Sequence, residues 1–460
     1  MNPDIRERIL DLNPWLASPE KFQGEIDRRM PNVFIPRLLD RSGFDDPRKA
    51  KLIVGPRQSG KSTLAWSFIR QRDPLSVIYL NCEEALVRMW AASPAGMLRD
   101  ITSEFPSAGT LLFDEVQHLD EAGLVVKGLV DARRSLDILV TGSSSFHLAD
   151  RVCESLAGRA ERRVLLPFSL REILAHEPSQ VPAVRRQRSA QIARRIMTIG
   201  GYPGVWLAAD PARELKDLLE AFVLRDASDL FRIRRPDVFR RLLQLAAGQV
   251  GRMANCSEWA SHVGVSSPTV REYLAIMEES WIIRLVPAFS AGKRREITSA
   301  LRVHFVDMGL RNAVTGSLVM DLDRRPDRGT LAEGFAFGEI LKTLPWDWTI
   351  HYWRSKGGAV VDFVLVREGR CVAVEVKAGM RASGARRLSR SAHSFIEAYS
   401  PDVFIVVTGA STQESSPRAA ASPPGGSADA VEENAGGSTP VLRVTLPDLA
   451  QAVLDATAPA

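Results

Sequence analysis

Eight consecutive residues, Gly55-Pro-Arg-Gln-Ser-Gly-Lys-Ser62, have the spacing of a phosphate-cradling loop, Gly-x-x-x-x-Gly-Lys-Ser. An apolar run, Lys51–Gly55, precedes the loop as a strand, and a helix is expected from Lys61 onward. That context gives the motif its meaning, because the first amides of a helix point at an anion with partial positive charge. Gly55, Pro56, Arg57, Gln58, Ser59 and Gly60 would wrap the β-phosphate, and Lys61 would place a point charge on the β- and γ-phosphates. The Ser62 hydroxyl would complete a Mg²⁺ shell, with Thr63 beside it on the first turn. The expected ligand is therefore ATP with Mg²⁺. Further on, Thr110-Leu-Leu-Phe-Asp-Glu115 is an apolar strand ending in two carboxylates. Asp114 would hold Mg²⁺ through water and Glu115 would polarise an attacking water. The run Asp137–Ser145 ends in hydroxyl residues, among which Ser143 is the candidate contact to the γ-phosphate or the water. The same serines also fit ordinary turn chemistry.

A second set of charged residues lies far downstream. Val360–Lys377 reads as two strands joined at Glu368-Gly369. If Arg367 faces Arg370 across a two-residue turn, Asp362 falls opposite Glu375, and Lys377 lies on the same face. Two carboxylates and one ammonium are a donor set for a hard cation and a phosphodiester. Glu333, on an expected helix over 331–344, would add a third carboxylate if that helix packs beside the hairpin. Paired charges on a surface strand explain the same residues without any metal.

These residues need elements to hold them. Strands expected at Lys51–Gly55, Val77–Asn81, Leu111–Asp114, Ile138–Thr141 and Arg162–Leu166 alternate with helices, as in a parallel, doubly wound sheet. Ile5–Leu16 has the pattern of a short amphipathic helix. Beyond Pro167 come arginine-rich helices, Val184–Arg195 and Ala221–Arg241, the latter with Arg225, Arg232, Arg234, Arg235, Arg240 and Arg241. Their basic faces suit either nucleic acid or solvent. Ser257–Gly264 and Val265–Ser280, followed by an apolar strand, form the order of a winged helix-turn-helix. Its second helix would offer Ser266, Ser267, Thr269 and Arg271 to a groove, yet Glu272, Glu278 and Glu279 oppose phosphates, so a packing module is the competing reading. Ala410–Pro440 is rich in Ser, Ala, Gly and Pro and reads as a flexible insertion, after which a strand (441–446) and a helix (449–454) return.

At 460 residues and 45% hydrophobic composition, the chain has material for two or three cores. No stretch approaches a membrane span and the start lacks the pattern of a signal peptide, so a cytoplasmic location without membrane contact is expected. Cys82, Cys153, Cys256 and Cys371 are far apart, which argues against a disulfide framework or a zinc knuckle. The net charge of +5 allows an anionic partner such as DNA without requiring one.

Taken together, several motifs resemble those of prokaryotic AAA-type ATPases that carry a C-terminal domain of unknown function with a restriction-endonuclease-like fold. The likeness rests on Gly55–Ser62, Leu112–Gln117, Thr141–Ser145, Leu156–Arg159, Leu166–Ser169, Gly200–Pro203, Asp307–Arg311, Tyr352–Arg354, Val361–Val364 and Val374–Lys377. It implies an α/β fold: an N-terminal helical segment (1–40), a parallel-sheet ATPase core (41–175), a helical lid (176–250), a winged helix-turn-helix (251–300) and a nuclease-like domain (301–409 and 441–460) interrupted by the insertion 410–440. By the same resemblance Arg159 would reach the nucleotide in cis or from a neighbouring subunit of a homo-oligomer. One departure is visible: similar proteins bring an acidic residue just before Asp362, whereas Val360 and Val361 are apolar here. Two function classes stand. One couples ATP hydrolysis to nucleic-acid processing; the other is a nucleotide-gated switch or scaffold whose C-terminal carboxylates are inactive.

Overall fold

The computed structural model describes residues 1–39, 44, 46, 48–132, 136–143, 156–178, 181–221, 233–290, 301–319, 321–377, 387–409 and 439–458. The chain divides into two compact units, Met1–Pro167 with Glu279–Trp281, and Phe168–Glu278 with Ile282–Ala460.

The first unit is built on five strands: β1 (Ala50–Gly55), β2 (Val77–Asn81), β3 (Thr110–Asp114), β4 (Asp137–Ser143) and β5 (Ala160–Val164). All pair in parallel, in the order β2-β3-β4-β1-β5. The central strands are continuous apolar runs because both faces are covered. Alternate residues then go to opposite cores. Leu52, Val54, Ile78, Leu80, Leu111 and Phe113 pack with helices α1 (Pro3–Leu12), α4 (Ala85–Ala91), α5 (Pro94–Glu104) and α6 (Ala122–Asp131). Ile53, Tyr79, Leu112 and Leu139 pack with α2 (Lys21–Arg29) and α3 (Lys61–Ile69).

The N-terminal segment belongs to this unit. Its first helix begins at Pro3, capped by the Asn2 side chain, and stops at Leu12. Pro14 opens a separate 3₁₀ turn, so the expected single helix to Leu16 is broken by a residue that cannot donate into it. Asn13 lies along the open edge of β2: its Nδ2 donates to Tyr79 O at 2.9 Å, and Tyr79 N donates to its Oδ1 at 2.6 Å. Trp15 Nε1 donates to Val77 O at 2.9 Å, completing the cover of that edge.

The second unit begins with helices. Pro182–Ile199 spans the expected basic helix. The stretch expected as helical from Ala221 divides differently: one helix ends at Ala221, residues 222–232 with Arg225 lie outside the described set, and another starts at Pro236 and runs to Gly248. Proline at the first helical position explains the new start. Helices Cys256–Val263 and Ser267–Glu279 meet at Gly264, whose φ of 71° suits glycine. They lead into an antiparallel pair, β6 (Ile283–Val286) and β7 (Arg302–Phe305).

A mixed sheet follows, made of β8 (Thr349–Arg354), β9 (Val360–Arg367), β10 (Arg370–Lys377), β11 (Val403–Thr408) and β12 (Val441–Thr445), in the order β12-β11-β10-β9-β8. Strands β10, β11 and β12 are parallel; β8, β9 and β10 are antiparallel. The tight turn forms at Glu368 and Gly369, both with positive φ (39° and 86°), and Arg367 pairs with Arg370. Helix Arg390–Tyr399 covers one face through Phe395. Helix Arg328–Thr343 brings Phe337 within 6.0 Å of Phe363. Most of the expected insertion, 410–438, lies outside the described residues.

Candidate functional site

The phosphate loop sits where β1 passes into α3. Gly55 has φ of 150° and no room for a side chain: a Cβ there would stand 2.2 Å from Leu165 O. Gln58 and Gly60 also have positive φ, 56° and 92°. Arg37, on the segment before β1, braces the loop by donating from Nη1 to Ser59 O at 2.8 Å and from Nη2 to Leu166 O at 2.5 Å. Lys61 is buried and its Nζ donates to Pro56 O at 2.8 Å, so its charge lies over the loop. The Ser59 hydroxyl is fully buried and makes no hydrogen bond among the described residues.

Register carries the acidic strand end to the same place. Asp114 is 8% exposed, and three hydroxyls on three different elements donate to its carboxylate. Ser62 Oγ donates to Oδ1 at 2.8 Å, Thr141 Oγ1 donates to the same oxygen, and Tyr79 Oη donates to Oδ2 at 3.2 Å. One hydroxyl and one carboxylate this close fit a Mg²⁺ ion on a bound triphosphate, with both side chains as water-mediated or direct oxygen donors. Glu115 has a left-handed backbone, φ 55°, which turns it out of the strand; Thr141 accepts its N–H at 3.2 Å, and Gln117 Nε2 donates to its carboxylate.

Several expected residues stand elsewhere. Ser143 is the last residue of β4 and its side chain lies outside the described set. The hydroxyl on that strand which reaches Asp114 is Thr141. Arg159 Nε donates to Asp131 Oδ1 at 2.6 Å in a half-exposed ion pair. Thr63 is half-buried on the first turn of α3. Sequence reading missed Tyr79 and Arg37. Tyr79 had a detectable signal: it is a polar-tipped side chain within the apolar run Val77–Leu80, and its register partner Leu112 puts it diagonal to Asp114.

The C-terminal carboxylates also come together, in a different way. Lys377 Nζ bonds Glu375 Oε1 at 2.8 Å, and Ser389 Oγ, the cap of helix Arg390–Tyr399, donates to both Glu375 oxygens at 2.8 and 3.1 Å. Asp362 accepts the Val376 N–H at 2.8 Å. Burial, then nearby Glu375, raises its carboxyl above the usual range against the pull of Arg302 and Lys377. Glu333 is pushed up to about 8, mainly by burial and then by Asp362. Its Oε1 lies 4.0 Å from Nε2 of the fully buried His304, and Gly251 (φ 74°) lies directly over it. Burial holds the His304 ring down to about 3. Among the described residues, no group of three or more His, Cys, Asp and Glu side chains is arranged to hold a metal ion. Among the described residues the expected metal role of Glu333, Asp362 and Glu375 therefore lacks a formed site: Glu375 is bonded to Lys377 and Ser389, and Asp362 to the Val376 N–H.

No helix among the described residues is long and apolar enough to cross a membrane. Comparison with known proteins adds three family matches: an AAA domain over residues 47–174, and two domains of unknown function, DUF8612 over 190–320 and DUF4143 over 328–422. An uncharacterized protein of Mycobacterium tuberculosis is 27% identical over 359 residues, 76% of this chain and 74% of that protein. An uncharacterized protein of Methanocaldococcus jannaschii is 25% identical over 337 residues, 70% of this chain and 74% of that one. Among solved structures, the Aeropyrum pernix ORC1 protein in complex with DNA overlaps 66% of this chain and 96% of its own at 16% identity, with a TM-score of 0.26. AMPPCP-bound DnaA from Aquifex aeolicus overlaps 50% of this chain and 82% of its own at 16% identity, with a TM-score of 0.22. Residues 47–174 thus match an AAA domain, and the phosphate loop, parallel strand order and carboxylate position there agree with that match.

Proposed function

We propose that this protein binds Mg²⁺-ATP at Gly55–Ser62 and hydrolyses it, using the nucleotide state to control a nucleic-acid-facing C-terminal unit. The observation that carries the first half is the 2.8 Å contact between Ser62 Oγ and Asp114 Oδ1 at the mouth of the phosphate loop. Lys61 would exchange its Pro56 carbonyl partner for phosphate oxygens, which offer a full charge in place of a dipole. Ser62 and Asp114 would hold Mg²⁺, whose chemistry is to neutralise charge developing on the phosphates. Glu115, turned out of its strand with its N–H bonded to Thr141, would orient a water. Arg159 in this reading would leave Asp131 to reach nucleotide on its own or a neighbouring subunit.

The test of the ATPase reading is turnover by purified Lys61→Ala: loss is expected, and unchanged turnover would sink it. The nucleic-acid half is supported by the helix pair Cys256–Val263 and Ser267–Glu279 followed by the β6–β7 ribbon, an order compatible with a winged helix.

For the C-terminal carboxylates, a binding role is the better supported reading. Glu375 is already paired with Lys377 and Ser389, and among the described residues no three-carboxylate metal group is formed. A restriction-endonuclease-like active site at Asp362, Glu375 and Lys377 would need those bonds to be exchanged. Mg²⁺-dependent cleavage of single- and double-stranded DNA, with and without ATP, decides between them. Cleavage lost in Glu375→Ala would establish the nuclease; no cleavage alongside working ATP hydrolysis would favour the nucleotide-gated switch.

A further inference from the structure

Tyr79 lies in β2, the edge strand, and its phenol reaches across to Oδ2 of Asp114 at 3.2 Å. The other oxygen, Oδ1, is the one shared by Ser62 and Thr141. The ring has little freedom. It is 8% exposed, Trp66 packs against it with centroids 5.0 Å apart, and the Arg29 guanidinium lies 5.1 Å from its centre. Trp15 in turn sets its edge on Trp66 at 6.0 Å. The backbone is held as firmly, since Asn13 bonds both the N–H and the C=O of Tyr79. Asn13, Trp15 and Arg29 all precede the segment matched as an AAA domain. A carboxylate that serves a metal is oriented by the hydrogen bonds to its remaining oxygen.

We propose that Tyr79 is a positioning residue for Asp114, holding one carboxylate oxygen so that the other faces Ser62, and that the N-terminal segment 13–29 is its brace. The inference rests on the ATPase reading above. It assigns the N-terminal segment a part in the nucleotide site that the phosphate loop alone does not require.

The experiment is ADP affinity of the full chain, measured by titration calorimetry with MgCl₂ and again with EDTA, for wild type, Tyr79→Phe and Lys61→Ala. Phe keeps the ring and its packing and removes only the hydroxyl. The expected result is a gain in affinity from Mg²⁺ that shrinks about tenfold in Tyr79→Phe, a usual effect of losing a group that orients a metal ligand, with affinity in EDTA unchanged. A lower melting temperature with an unchanged Mg²⁺ gain would overturn the proposal and leave Tyr79 as core packing. Failure of the underlying reading shows separately, as ADP binding that Lys61→Ala does not weaken. Asn13→Ala provides a second variant: a reduced Mg²⁺ gain supports the brace, and an undiminished gain in a folded protein removes it.

Discussion

The two carboxylate sites of this protein are built on opposite plans. At Asp114, hydroxyls from α3, β2 and β4 converge on one carboxylate, so the charge is held and solvated by donors that can be traded for a cation. At the β9–β10 hairpin, carboxylates are spread over Asp362, Glu375 and Glu333, and burial pushes two of them toward the protonated form. Hydrogen-bond donors offset a carboxylate's charge. A site that is short of them stabilises its acids by protonation or by private ion pairs. The contrast teaches that acidic residues near one another are weak evidence for metal chemistry until their hydrogen-bond partners are counted.

The comparison breaks most readily at Lys61. Lys61→Ala should lower ATP turnover by about a hundredfold or more, since a preorganised positive charge on the transferring phosphate is removed. The same change should leave any C-terminal activity measured without ATP unaltered. A smaller but still large effect is expected at Gly55, where a Cβ would collide with Leu165 O at 2.2 Å. Gly55→Ala should destabilise the first unit by about 3 kcal/mol, read as a shift in the denaturant midpoint, because both φ and space are wrong for alanine.

The hairpin site carries a pH signature. Glu333 has its carboxyl raised from 4.5 to about 8, so the folded state favours its protonated form. Its contribution to stability is present in full below pH 4.5 and is lost as pH rises through about 8. The groups acting on it are His304, Asp362 and Arg302. Glu333→Gln should therefore gain stability relative to wild type as pH rises from 5 toward 8, and the gain should level off beyond it, as followed by thermal melting across a pH series. A difference that does not change with pH would mean that Glu333 is solvated and that the two sites are less unlike than their bonding suggests. His304 works in the other direction. Its ring is held down to about 3, so its contribution is present above 6.5 and lost as pH falls toward 3.

Much of the first unit could be read locally. Strands and loop are set by short-range constraints: largely apolar runs in the central strands, and glycines at Gly55 and Gly60 where φ is positive. The hairpin register was equally legible, because a two-residue turn leaves one pairing and Arg367 does face Arg370. Proline punctuation at Pro14 and Pro236 was visible too, although the helical reading ran through it.

The sequence by itself determined the nucleotide-binding motifs, since the phosphate loop and the Asp114-Glu115 strand end are contiguous and their residues need no distant help to be recognised. Only the tertiary structure decided which side chains support them. Tyr79, Arg37, Thr141 and Asn13 are brought in by strand order and edge pairing, and those depend on which strands lie side by side in space. The same holds at the hairpin, where alternation along two strands put Asp362 and Glu375 near each other but could not show that Ser389 donates to Glu375 and the Val376 N–H to Asp362. Hydrogen-bond satisfaction is a property of neighbours in three dimensions, and no pattern along the chain records it.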